Sequence, residues 1–434
     1  MYSVVLPVYN AEKTIQKTVK SILQNKTKQD FEVIIVNDGS TDGTKEVLQQ
    51  LEKDNRFKVI HQENKGVSAA RNKALDAIDL KSDYVVFVDD SDTISNNYIE
   101  EHLKVLKKYP EINLSIAPVT LEKGNKRFPQ NLNFRFDIKE DLVKIDDKPN
   151  FVQYHLGGTV FRSKVFKESK RRFSENLRFW EDALLINTVI LKDKKYGLVK
   201  NAEYVYDRNN TSSLSQNTWS DKQRYTHHIK HAYFPLIKKS QELYGEVIPY
   251  IQFLLARHYL EYLVEHNQEN IKQHRRFIDD EFMDETKSLF SYIDVKTIEE
   301  LDCKLNLKAY MLNLKGETKQ LSNDYQNIKV LIQKIDFKKK NLTFTFSTEA
   351  ANLPSDCFVY VGDKFEDKAK IFEQKNNYLL GKKVEGDITQ NKYSTPLRMN
   401  MLFQNINFHI LKDDCHFIVK SPSILKRVIR KLKR

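Results

Sequence analysis

Carboxylates crowd the ends of two short apolar runs. Phe31-Glu32-Val33-Ile34-Ile35-Val36 stops at Asn37-Asp38-Gly39-Ser40, and Tyr84-Val85-Val86-Phe87-Val88 stops at Asp89-Asp90-Ser91-Asp92. Oxygen donors of this kind suit a hard divalent cation, sugar hydroxyls or the N–H groups of a base. Three acids in four positions repel one another without a counter-ion. A further acid pair, Glu181-Asp182, opens an apolar stretch running from Ala183 to Leu191. A carboxylate beside a like charge and near Trp180 has its pKa lifted toward the range of a general base. Arg71 lies near the start of a helix opened by Gly66, where helix N–H groups and a guanidinium both favour anions.

The elements that must position these groups read as alternating strands and helices. Runs of β-branched and aromatic residues this short, bounded by turn residues, are buried strands. Ser3 to Leu6, Phe31 to Val36, Lys58 to Ile60 and Tyr84 to Val88 fit that pattern. Between them lie helices with apolar stripes: Ile15, Val19, Ile22 and Leu23 after an Asn10 cap, Val47, Leu48 and Leu51 after Thr44, and Ala70, Ala74, Leu75 and Ile78 after Gly66. Repeated β-α-β units imply an α/β fold with a mostly parallel sheet and right-handed crossovers. Ligands of such sheets bind beyond the carboxyl ends of the strands, where Asp38 and Asp89 to Asp92 fall.

Downstream the texture changes twice. Residues 111–210 are mixed, with Gly157-Gly158, a strand-like Leu177 to Phe179 before Glu181-Asp182, and a last strand at Tyr204 to Tyr206. Residues 219–325 read as helices. Period-two alternation at Ile328-x-Val330-x-Ile332, Leu342-x-Phe344-x-Phe346, Leu397-x-Met399-x-Met401 and Ile406-x-Phe408-x-Ile410 predicts a small antiparallel β-sandwich. The division expected is a catalytic domain over 1–215, a helical linker or acceptor region over 216–326, a β-sandwich accessory domain over 327–420, and a basic amphipathic helix over 421–434. In that last segment Ile424, Leu425, Val428, Ile429 and Leu432 form one stripe among lysines and arginines, which suits an anionic membrane surface or docking on the body of the protein.

Bulk properties narrow the function. At 434 residues the chain exceeds one ordinary core, so two or three domains are expected. No apolar stretch is long enough to span a bilayer, and strand-like residues from Ser3 leave no room for a secretory leader. A cytoplasmic protein, peripheral to the inner face of the membrane, is the expectation. Cys303, Cys357 and Cys415 are few and far apart, fitting neither a disulfide framework nor a metal knuckle. The net charge of +12 suits an anionic partner, although solvated surface lysines account for it equally well. Nucleic acid is not expected, because no recognition signature accompanies the charge.

Four segments, in order, resemble the family 2 glycosyltransferases, which have the nucleotide-diphospho-sugar transferase (GT-A) fold. They are Val4-Val5-Leu6-Pro7-Val8-Tyr9-Asn10, Val36-Asn37-Asp38-Gly39-Ser40-Thr41-Asp42, Asn64-Lys65-Gly66-Val67-Ser68-Ala69-Ala70-Arg71-Asn72 and Phe87-Val88-Asp89-Asp90-Ser91-Asp92. The likeness is strong over the first 110 residues and continues weakly to 215. Bacterial cell-envelope transferases, including those that decorate wall teichoic acid, are similar in these segments, and they can carry C-terminal helical and β-sandwich modules.

The resemblance implies a role for each matched residue. Pro7, Val8 and Tyr9 wall a nucleobase pocket, with Tyr9 stacking on the base; Asp38 accepts from a uracil N–H; Asn64 and Arg71 contact the nucleotide. Asp90 and Asp92 hold a divalent cation, Mn²⁺ or Mg²⁺, with Asp89 a further candidate ligand, while Asp89 and Asp90 also face the donor. Many relatives read D-x-D-D here, and the gapless match puts Ser91 where an acid is usual. Asp182 is the general base and Glu181 its neighbour. Arg208 and Ser213 belong to a loop that closes over the diphosphate. Arg257 and His258 are candidates to meet an acceptor phosphate, with a core-facing His258 as the plainer alternative. The implied reaction is inverting, metal-dependent transfer of a hexose or N-acetylhexosamine, such as GlcNAc, from a UDP-sugar. The implied acceptor is an anionic or lipid-linked polymer such as wall teichoic acid or a capsular or exopolysaccharide. The β-sandwich would form a homo-oligomer or hold polymer. A non-catalytic carbohydrate-binding or assembly protein is the alternative, with Ser91 its one support. A sugar nucleotidyltransferase would need a Gly-rich loop where Pro7-Val8-Tyr9-Asn10 stands.

Overall fold

Seven buried residues in a row, Tyr2–Val8, form the central strand β1. Burial on both faces is the mark of a parallel strand covered by helices on each side. The structure, a computed structural model, describes residues 1–209, 218–266, 268–317, 328–346, 357–363, 365–376, 378–383, 389–412 and 415–427. Ser213 and residues 428–434 lie outside the described residues. The chain divides into two compact units, Met1–His258 with Arg276–Ile293, and Tyr259–Arg275 with Asp294–Arg434.

In the first unit β1 pairs in parallel with β2 (Phe31–Asp38), and β2 with β3 (Phe57–Gln62). The helices α1 (Ile15–Leu23), α2 (Thr44–Leu51) and α3 (Val67–Asp76) make the connections. The chain then returns to the other side of β1 as β4 (Tyr84–Phe87), again parallel, with Tyr2 opposite Tyr84 and Val5 opposite Phe87. Strand order therefore reverses at β1, and a crevice opens beyond the carboxyl ends of β1, β2 and β4. Asp38 ends β2, and Tyr9, Asp89 and Asp90 follow the ends of β1 and β4.

Beyond β4 come β5 (Thr93–Ile94), α4 (Tyr98–Lys108), β6 (Leu114–Ile116), β7 (Val119–Lys123), β8 (Lys126–Pro129), β9 (Leu142–Lys144), β10 (Thr159–Arg162), α5 (Lys164–Lys167), α6 (Glu181–Asp193), β11 (Lys195–Leu198) and β12 (Tyr204–Asp207). The main sheet has the order β3-β2-β1-β4-β10-β6-β11-β9, and β10 runs antiparallel to both neighbours. A second sheet, β5-β12-β7-β8, flanks the crevice side of β4 through the Asp89–Asp92 loop. Val4, Leu6, Val33, Ile35, Val86 and Tyr98 sit in one core cluster that spans the sheet. The first unit extends past residue 215, where the catalytic domain was expected to end, and takes in the Phe234–Tyr244 helix, the Pro249–Glu265 helix through His258, and the Asp280–Ser291 helix.

Three local expectations differ. Asn10 does not cap α1; its φ is 51°, and its side-chain oxygen instead accepts from the Thr41 N–H at 2.8 Å, tying the β1 and β2 tips together. Leu177 to Phe179 is a bend rather than a strand. Leu397 to Met401 is no strand but leads into the Asn400–Phe403 helical turn: Met401 is buried and Leu397 packs on the core, while Met399 stands 71% exposed.

In the second unit two four-stranded antiparallel sheets share one hydrophobic cluster centred on Phe344, Val361, Phe408 and Ile410. That is the expected sandwich. Ile424 is 3% exposed within the same cluster, so the described start of the C-terminal segment docks on the sandwich. Among the described residues no helix is long and apolar enough to cross a membrane.

Candidate active site

The crevice is stitched from loop to loop by side chains at the strand tips. After β2, Asp38 is 4% exposed and accepts from Gln62 Nε2 at 2.7 Å, the Lys65 N–H at 2.9 Å and the Gly66 N–H at 2.8 Å. It therefore anchors the loop that starts α3. Gly39 is required beside it: its φ is 73°, and a Cβ there would lie 2.7 Å from the Asn64 nitrogen. Asn64 itself is exposed at the rim. After β1, Tyr9 is 50% exposed, and its N–H donates to Asp90 Oδ2 at 2.9 Å. Pro7 and Val8 are buried strand residues beneath it.

The three acids after β4 take three different surroundings. Asp89 stays 41% exposed while Oδ1 accepts from Arg71 Nη2 at 2.9 Å. Asp90 is partly buried under Tyr9. Asp92 is 1% exposed, and its oxygens accept from the Tyr204 hydroxyl at 2.7 Å and the Asp207 N–H at 2.9 Å. The Tyr204 hydroxyl also lies 3.2 Å from the Asp89 N–H, which donates to it. Asp92 thus braces the β4 loop against β12, each of its oxygens accepting one hydrogen bond.

Arg71 joins this loop to the acid pair of α6. Its Nη1 donates to Glu181 at 2.7 Å, and the arginine and glutamate side chains are 6% and 9% exposed. One N–H on each terminal nitrogen is engaged, so the buried Arg71 bridges two protein carboxylates. Asp182 is held from behind by two backbone donors, Leu156 N–H to Oδ2 at 3.1 Å and Ala183 N–H to Oδ1 at 2.7 Å. Trp180, just ahead of α6, adopts the left-handed conformation at φ 71° and ψ 15°. That conformation costs a bulky residue about 1–2 kcal/mol and turns the chain sharply into the helix.

Burial and mutual repulsion set the charge states. Burial, then the Glu181 charge, lifts the Asp182 pKa to about 7, with Arg71 pulling the other way. Burial, with Asp89 adding to it against the Tyr9 hydrogen bond, lifts Asp90 to about 7. Burial and then Asp89 raise Asp92 well above the usual carboxylate range. For Arg71 burial acts downward, yet Asp89, Glu181 and Asp182 outweigh it and hold the guanidinium charged.

Among the described residues no three His, Cys, Asp or Glu side chains converge as a complete metal cage. A hard cation that works on a diphosphate does not need one: one or two carboxylates suffice when substrate phosphates and water complete the shell. Asp89 and Asp90 fit that donor set, since Asp89 is exposed, adjacent and only half engaged.

Other sequence candidates fall at the margins. Arg208 follows β12, exposed, with its N–H on the Glu122 carbonyl at 2.8 Å. Arg257 lies over the Phe134 ring at 5.6 Å. His258 is 1% exposed and stacked on Trp180, so it cannot meet an acceptor. Sequence reasoning missed Tyr204, the Leu156 N–H and the left-handed Trp180. The Gly157-Gly158 pair was the available signal: a Cβ on Gly157 would meet the Tyr204 ring at 2.7 Å.

A crevice at the strand-order reversal, lined by separately tuned carboxylates, on a sheet of this order defines a glycosyltransferase of the GT-A fold. The glycosyl transferase family 2 model matches residues 3–169. The minor teichoic acid biosynthesis protein GgaA of Bacillus subtilis is 30% identical over 334 residues, 74% of each chain. GgaB of the same organism is 29% identical over 233 residues, covering 52% of this chain and 25% of that protein. Of solved structures, residues 1–349 of S. aureus TarS in complex with UDP-GlcNAc superpose with a TM-score of 0.56 at 18% identity, over 73% of this chain and 87% of that one. The chain belongs to glycosyl transferase family 2 and is an enzyme.

Proposed function

We propose that this enzyme inverts the anomeric centre as it transfers a hexose or N-acetylhexosamine from a UDP-sugar to a wall teichoic acid or a related anionic envelope polymer. The observation that carries the reading is the Arg71 bridge, which holds the donor-side Asp89 and the Glu181-Asp182 pair at one crevice. The teichoic acid name of the Bacillus subtilis relative, the UDP-GlcNAc in the TarS structure and the +12 net charge support the donor and acceptor classes.

In this reading Tyr9 stacks on the base, and Asn64 and the loop held by Asp38 close its edge. Asp89 and Asp90 would hold Mn²⁺ or Mg²⁺, and that ion would supply neutralisation of charge on the diphosphate. Asp182 takes the proton of the acceptor hydroxyl. That oxygen bonds to the anomeric carbon as the bond to UDP breaks, and the electron pair leaves on the β-phosphate. A single displacement needs no covalent enzyme intermediate. Arg208 and Ser213 approach the diphosphate, and Arg257, which makes no ion pair among the described residues, meets an acceptor phosphate over Phe134. The enzyme works in the cytoplasm, the basic sequence of its C-terminal segment suiting an anionic membrane surface and the sandwich serving oligomerisation or polymer binding. The test is Asp182→Asn, which should lower kcat by roughly 10²–10⁴ while UDP binding persists. Near-normal turnover would sink the base assignment.

A further inference from the structure

His258 lies in no crevice, yet it touches both chain segments that fix Asp182. Its imidazole stacks on Trp180 with ring centroids 4.5 Å apart and planes 21° apart, and on Phe179 at 5.6 Å and 29°. These are the two residues immediately before Glu181-Asp182. On another side the imidazole meets Tyr154 at 5.9 Å, two residues before the Leu156 N–H that holds Asp182 Oδ2. Nδ1 is hydrogen-bonded to the Tyr233 hydroxyl, and the Tyr233 ring packs edge-on against Trp180 at 5.1 Å. His228 closes the box 5.4 Å from Trp180, and Arg224 stacks on Phe179 at 3.9 Å. A left-handed tryptophan persists only where its surroundings over-determine it.

We propose that His258 is a positioning residue for this enzyme: its ring clamps the Phe179-Trp180 and Tyr154–Leu156 segments together and thereby sets where the Asp182 carboxylate stands. The inference rests on Asp182 being the base. Burial keeps the His258 pKa well below its usual value, so a neutral ring is stacked there throughout the working pH range. The ring needs only its shape and one hydrogen bond to do this, and a displacement of the base by about 1 Å is enough to cost roughly 100-fold in rate.

The test uses the full chain and three variants, His258→Ala, His258→Phe and Tyr233→Phe, beside Asp182→Asn. Two readouts are taken: kcat and KM for the UDP-sugar, and the near-UV circular dichroism of the chain's two tryptophans, Trp180 and Trp219. His258→Ala should lose roughly 100-fold in kcat with KM unchanged, and should lose tryptophan ellipticity. His258→Phe, which restores a flat ring, should recover most of both. If His258→Ala does not fold, Tyr233→Phe removes the hydrogen bond with little loss of packing and should show the same pattern at smaller amplitude. Wild-type kcat in the folded variants overturns the proposal, as does a loss of kcat with unaltered ellipticity. Near-normal turnover by Asp182→Asn, with ellipticity lost in His258→Ala, would instead overturn the base assignment and leave the clamp standing.

Discussion

Replacing Arg71 by Met removes the guanidinium that bridges Asp89 and Glu181. The consequence can be scaled from exposure. Asp89 is 41% exposed, so its half of the bridge is screened and contributes about 0–1 kcal/mol. Glu181 and Arg71 are 9% and 6% exposed, and a partner removed from a buried pair typically costs about 3–5 kcal/mol, because a buried charge is left alone. For a unit of this size that corresponds to a fall in Tm of roughly 6–20 °C, at about 2–4 °C per kcal/mol. The pH dependence has a definite sign. Asp182 already stands near 7 because of burial and Glu181, with Arg71 opposing, so losing Arg71 lets it climb further. A carboxyl raised above its unfolded value of about 3.9 binds its proton in the folded state first. Its contribution to stability is greatest below that unfolded value and is lost as pH rises through the folded one. The Arg71→Met deficit should therefore widen as pH rises through about 7 in melting scans of wild type and variant. The acid limb of kcat, near pH 7 in the wild type, should move upward, since a base must be deprotonated to act. Adding Glu181→Met should recover at least half of the lost Tm. A single variant melting within about 2 °C of wild type, or a double variant no better than the single, refutes the bridge as the organiser of the site.

The other outcomes concern the β4 loop. Tyr204→Phe leaves buried Asp92 with the Asp207 N–H alone and should cost about 1–3 kcal/mol in thermal or denaturant unfolding. No measurable loss would show that the hydroxyl does not brace the loop. In Mn²⁺ titrations of activity, Asp89→Asn and Asp90→Asn should each raise the half-activating concentration by roughly tenfold or more, while Asp92→Asn mainly lowers Tm. If Asp92→Asn shifts the metal requirement most, the assignment of donors is wrong.

Strand tips and helix faces were legible because they are periodic. Buried parallel strands leave near-continuous apolar runs, so β1, β2 and β4 could be placed within a residue or two, and the crevice with them. Asp182 was legible because acids that open a helix stand out. What each acid does was not legible. Asp38, Asp89, Asp90 and Asp92 are the same residue type at similar strand ends, and their partners come from up to 115 residues away, as the Asp92 to Asp207 bond shows. Local spacing carries no trace of such a partner. The same blindness explains Leu177 to Phe179, where the Phe179 ring packs on His228 and His258 of later helices rather than in a sheet.

The sequence by itself determined the alternation of strands and helices, the switch of texture into a β-sandwich, and the presence of acids at the carboxyl ends of parallel strands. These follow from periodicity and turn chemistry, which act over a few residues. Tertiary structure alone decided that Arg71 serves Asp89 and Glu181, that Asp92 is sealed by Tyr204, and that Asp182 is lifted to about 7. Those outcomes depend on desolvation and on charges brought together across the fold, and neither exists until the chain has closed around them.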